Sequence, residues 1–98
     1  MAINKNDTPK IYKTDGSVTD VQQAKGKYFS LEELQKIVGG YIEIIYLGQT
    51  GLVMVMNEEG KLDGLPINEL ASEIAQGYIQ RYDKIVGDVL VCSQKLID

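Results

Sequence analysis

The side chains that interrupt the apolar runs of this chain are the ones to question for chemistry: Tyr41, Glu43, Asn57, Asn68, Asp88 and Cys92. Glu43 stands inside YIEIIY, a run of β-formers. An uncompensated buried carboxylate costs several kcal/mol, so two readings stay open. Glu43 lies on an exposed edge or pairs with a lysine of a neighbouring strand; or it is a hydrogen-bond acceptor in a binding site. Asp88 follows Gly87 within IVGDVLV, where a glycine marks a bulge or a close backbone approach. Asn68 opens a helical pattern and is suited to capping its first turn or tying down the preceding loop. Asn57 begins NEEG, a turn composition. Cys92 has no basic neighbour and reads as an inert core thiol.

Several reaction classes are excluded by composition. The chain has no histidine and one cysteine. Ser-His and Cys-His nucleophile pairs are therefore absent, as are zinc sites of the Cys/His kind and an intramolecular disulfide. The NEEG segment lacks the alternating carboxylates of a calcium loop. No catalytic residue, metal or cofactor is expected. Catalysis would fall to Glu43 and Asp88 as acid and base, and nothing in their spacing demands that geometry.

Gly39 and Gly40 invite comparison with a phosphate-binding loop, which runs from strand to helix so that helical N–H groups face the anion. Here the pair follows a helical pattern, where unpaired carbonyls repel phosphate. The glycines read as a helix stop.

The formal net charge is −4, from 14 acidic and 10 basic residues without a basic cluster. A nucleic-acid partner is not expected, because it would require a basic footprint. No run approaches the ~18 apolar residues of a membrane span, and the polar start MAINKNDTPK has no signal-peptide core. The expectation is a cytoplasmic protein. Six tyrosines accompany one phenylalanine and no tryptophan, a mild bias toward the residue types of interfaces.

The elements that must position these residues follow from local pattern. Residues 1–9 have no periodicity and read as a flexible tail; 10–98 form one domain, near the small end of what a single core supports. Asp15 and Gly16 predict a tight β-hairpin between Ile11 and Val18. FSLEELQKIVG has a capping box in Ser30 and Glu33 and a staple in Phe29 and Leu34. It also has an apolar stripe of Leu31, Leu34, Ile37 and Val38, with Gly39 as the stop. YIEIIYLG and GLVMVMN predict a second hairpin, apolar on both faces and so expected inside the sheet with cover on each side. PINELASEIAQGY is an amphipathic helix with Pro66 in its first turn, and IVGDVLVCS is the last strand. The order is ββαββαβ, an α+β domain with a mostly antiparallel sheet packed with two helices.

Taken together, LEELQ running into VGGYIE, then NEEGK, LPINELA and IVGDV resemble a small-domain family known only as a domain of unknown function. That family is carried mainly by bacteriophages and other mobile elements. The resemblance covers residues 10–92 and supplies no catalytic residue. It implies a phage or prophage accessory protein in a bacterial cytoplasm, and proteins of that setting often act by binding, anti-CRISPR action included. Glu43, Asn57, Asn68 and Asp88 belong to the shared pattern, and with Tyr41 they are the candidate binding residues, expected to converge in one polar cluster.

The leading expectation is thus a non-enzymatic interaction protein whose partner is a host protein, with self-association as a homodimer also open. The alternative is a small-molecule or nucleotide-signal binder with a pocket lined by Glu43, Asn57 or Asn68. A small carboxylate-based enzyme comes third.

Overall fold

The computed structural model describes residues 8–80 and 83–97. Most of the expected tail, residues 1–7, lies outside them. Pro9 is buried, and its carbonyl accepts from the Val21 N–H at 2.9 Å.

Seven principal elements follow in the order ββαββαβ: β1 (Lys10–Tyr12), β2 (Val18–Asp20), α1 (Leu31–Val38), β3 (Ile42–Tyr46), β4 (Leu52–Asn57), α2 (Glu69–Ala75) and β5 (Val89–Ser93). The strands form one antiparallel sheet in the order β2-β1-β5-β4-β3. Each hairpin forms locally, and β5 lies between them. No helix among the described residues is long and apolar enough to cross a membrane.

Local chemistry explains the turns and caps. The Asp15 carboxylate accepts from the Ser17 N–H at 2.8 Å and its hydroxyl at 2.6 Å, closing the first hairpin. At the start of α1 the Glu33 N–H donates to Ser30 Oγ at 3.1 Å, and the Ser30 N–H returns to the Glu33 carboxylate at 2.9 Å. That is the capping box predicted from the sequence. The second carboxylate oxygen accepts from the Ala24 N–H at 2.8 Å, tying the incoming connector to the helix. Gly39 ends α1 with φ 81°, and its N–H reaches the Gln35 carbonyl. Glycine alone takes that left-handed geometry without steric cost.

Strand periodicity divides the core into two layers. On one face, Phe29, Leu34 and Val38 pack with Val53, Val55, Leu90 and Cys92. On the other, Ala71 and Ala75 of α2 pack with Tyr12, Met54, Met56, Val89 and Val91. The register aligns Ile44, Val55, Leu90 and Ile11 in one row across the sheet beneath α1. All six residues of β4 are buried. A strand covered on both faces is apolar along its length; the one polar residue of β4 is Asn57 at its end, which has its own hydrogen-bond partners.

Two expectations need correction. The second hairpin is not wholly interior: β4 is, but β3 is the edge of the sheet. Helix α2 is also shorter than its apolar pattern. Pro66 is outside it, Ile67 pairs with Val86 in an isolated bridge, and Asn68 is the N-cap. The cap's extended backbone stops the helix from reaching back to Pro66.

Candidate functional site

Asn68 is fully buried, and every polar group of its amide is engaged. Its Oδ1 accepts from the Ala71 N–H at 3.0 Å, which is the helix cap. Its Nδ2 donates to the carbonyls of Tyr12 and Gly87, each at 2.8 Å. The residue joins α2 to β1 and to the segment entering β5. Gly87 has φ 78°, and an added Cβ there would come 2.8 Å from the Leu65 side chain. That is the close approach anticipated from a glycine in this run. The neighbouring Asp88 carboxylate accepts from the Thr14 N–H at 3.0 Å and so anchors the end of the first hairpin.

Asn57 is equally committed to the fold. Its Nδ2 donates to the Val38 carbonyl at 3.2 Å and its Oδ1 accepts from the Glu59 N–H at 2.8 Å. It therefore covers a C-terminal carbonyl of α1, one of those a helix leaves unpaired. Gly40 passes so close that an added Cβ would lie 2.9 Å from Asn57 Nδ2.

Glu43 is exposed on the edge strand, opposite Met56. Among the described residues the ion pairs are Lys10 with Asp20 and Lys61 with Asp83, neither of which includes it. It borders a hollow of about 290 Å³ with Lys61, Leu62, Lys84 and Ile85. The Lys61 ammonium, hydrogen-bonded to Asp83, holds that carboxyl below its ordinary value. Tyr41 is 67% exposed and borders an open hollow with Gln35 and Lys36 of α1.

The expected single cluster is not formed. Glu43 and Asn57 border the same hollow, but the Asn57 amide is bound to backbone. Asn68 and Asp88 lie by β1, across the sheet from β3 by three inter-strand spacings, about 14 Å. Three of the four pattern residues tie elements together, because a polar side chain at an element junction is where backbone groups most need a partner.

The surface that sequence reasoning missed lies between α1 and β3. Tyr28, Leu31, Leu34, Ile42, Ile44 and Ile97 line an open hollow of about 460 Å³. Leu31 is 58% exposed, Tyr28 40%, and Tyr46, on the same face of β3, 65%. The available signal was the apolar outer face of IEIIY, which an interior strand and a sticky edge share. A smaller hollow of about 200 Å³, of mixed polarity, lies on the opposite side between Leu47, Thr50, Leu52, Glu73, Ile74 and Tyr78.

The geometry defines a small three-layer α+β domain, one antiparallel sheet held between two short helices. The chain belongs to the family described as Domain of unknown function (DUF3846), whose model matches residues 9–96. Comparison with curated proteins finds no match, and neither does comparison with solved structures.

Proposed function

We propose that this is a non-enzymatic interaction protein of phage or mobile-element origin, working in the bacterial cytoplasm by docking on a host protein. The observation that carries the reading is the apolar ground between α1 and β3, where Tyr28 and Leu31 stand exposed at the rim of the hollow. Exposed apolar patches of this kind mark interaction sites, and tyrosine is enriched in them. Support also comes from the committed amides of Asn57 and Asn68, which leave the pattern residues little capacity for chemistry. Host defence machinery, CRISPR effectors included, is the target class that the mobile-element resemblance favours.

Affinity capture from bacterial host lysate tests this, using the wild type beside Leu31→Glu. An acidic residue in the first turn suits the helix dipole, so the variant is expected to fold. Proteins recovered by the wild type and lost with the variant support the reading. Recovery of nothing, or of the same set by both, overturns it.

A second reading, a small-molecule or nucleotide-signal binder, draws on the mixed-charge hollow of Glu43, Lys61 and Lys84. Thermal stabilisation by a nucleotide, lost in Glu43→Gln, would support it. A flat response across a nucleotide panel removes it.

A further inference from the structure

The two edges of this sheet are built differently. Strand β2 is three residues long, exposed at each position, and has Asp20 paired with Lys10. Short, charged edges of that kind resist pairing with another chain. Strand β3, IEIIY, is five residues long, with no proline or lysine.

Its backbone direction can be read from the hairpin bonds. The Leu47 N–H donates to the Leu52 carbonyl, and the Glu58 N–H donates to the Tyr41 carbonyl. In an antiparallel ladder, residues that bond to the partner strand alternate with residues that do not. With the observed register, Glu43 and Ile45 bond inward to β4, while Ile42, Ile44 and Tyr46 direct N–H and C=O outward. The same three side chains lie on the α1 face.

We propose that two copies of the chain join through β3, antiparallel, about a two-fold axis at Ile44. Ile44 then lies opposite Ile44 of the partner subunit, and Ile42 opposite Tyr46 of the partner subunit. Every outward N–H and C=O of the strand finds a partner, because the outward set is symmetric about Ile44. Glu43 falls opposite Ile45 of the partner subunit and only diagonal to Glu43 of the partner subunit, about 7–8 Å away. An axis at Glu43 would instead set the two carboxylates face to face, which like charges oppose. Glu43 thereby selects the register, and the strand's composition is complementary to itself. Because Ile44 lines the α1 hollow, the pairing sets two hollows side by side across the axis. The pairing stands on the strand's own geometry and holds or falls separately from docking of a host protein.

Sedimentation equilibrium of the full chain, with amide hydrogen exchange, tests the pairing. The expected result is twice the 10.9 kDa chain mass, with concentration-dependent protection of the Ile42, Ile44 and Tyr46 amides. Ile44→Pro removes the central outward N–H without breaking a bond to β4, and Tyr46→Lys charges an exposed position on the edge. Each is expected to weaken dimerisation at least about tenfold, with unchanged circular dichroism; if Ile44→Pro fails to fold, Tyr46→Lys decides. A wild type that stays monomeric at its highest soluble concentration overturns the pairing, as does dimerisation unchanged in the folded variants. So does a monomer whose β3 amides become protected only with an added foreign segment, an outcome that leaves host-protein docking intact.

Discussion

The Asn68 amide nitrogen donates to the Tyr12 carbonyl at 2.8 Å, joining residues 56 positions apart in sequence. It is one of three bonds from one buried side chain, and together they lock α2, β1 and the approach to β5.

Replacing Asn68 with alanine removes all three of its bonds and leaves the buried Ala71 N–H uncapped. At about 0.5–1.5 kcal/mol for each lost bond, and more for the N–H left bare, the expected loss is about 2–5 kcal/mol, a large share of a small domain's stability. Asn68→Asp keeps the cap to Ala71 but sets an oxygen against both carbonyls, so it is expected to fare no better. Urea denaturation decides: wild-type stability in Asn68→Asp would remove the tie from its role.

The Glu33 carboxyl is held below its ordinary value of 4.5 by the Ser30 and Ala24 N–H groups. A carboxyl with a depressed folded pKa adds stability above its unfolded pKa and loses it as pH falls through the folded one. Asp15, bonded to Ser17, acts in the same direction. Stability should therefore decline as pH drops below about 4.5, and Glu33→Gln should flatten that decline. Parallel urea midpoints for the two proteins between pH 7 and pH 3 would contradict the capping account.

The adjacent glycines fail for different reasons when changed. Gly39 has open space for a Cβ but a positive φ, so Gly39→Ala should cost about 1–2 kcal/mol through backbone strain, and Gly39→Asn less. Gly40→Ala has no such strain and instead displaces the Asn57 amide from Val38. Thermal melts of the single and double variants with Asn57→Ala separate the two. Gly40→Ala should cost little once Asn57 is already gone.

Burial pushes the Cys92 thiol up to about 12. The group is protonated and covered at neutral pH, so labelling by a thiol reagent should track unfolding in urea. Prompt stoichiometric labelling of the native protein would overturn this.

What could be read from sequence was local. Ser30, Glu33 and Gly39 specify both ends of α1 within ten residues, and the caps appear as the side chains dictate. The strand order was not legible, because the neighbours of β5 depend on segments far apart in the chain. The edge position of β3 was hidden for a related reason: Ile42, Ile44 and Ile45 suit an interior strand as well as an edge. Asn57, Asn68 and Asp88 could be singled out as polar residues in apolar runs, but the carbonyls and N–H groups they serve are set only by the fold. Glu43 is the exception, since one of its two sequence readings, an exposed edge, is what the structure has.

Strand β5 is last in order and central in position, between β1 and β4. During synthesis the two hairpins are made early and then have nothing to join them. Neither can enter the native sheet until residues 89–93 leave the ribosome. In that interval β4, apolar on both faces, has one bare edge, the condition in which nascent chains attract chaperones or each other. A ribosome stalled before residue 89 would therefore hold two hairpins and no sheet.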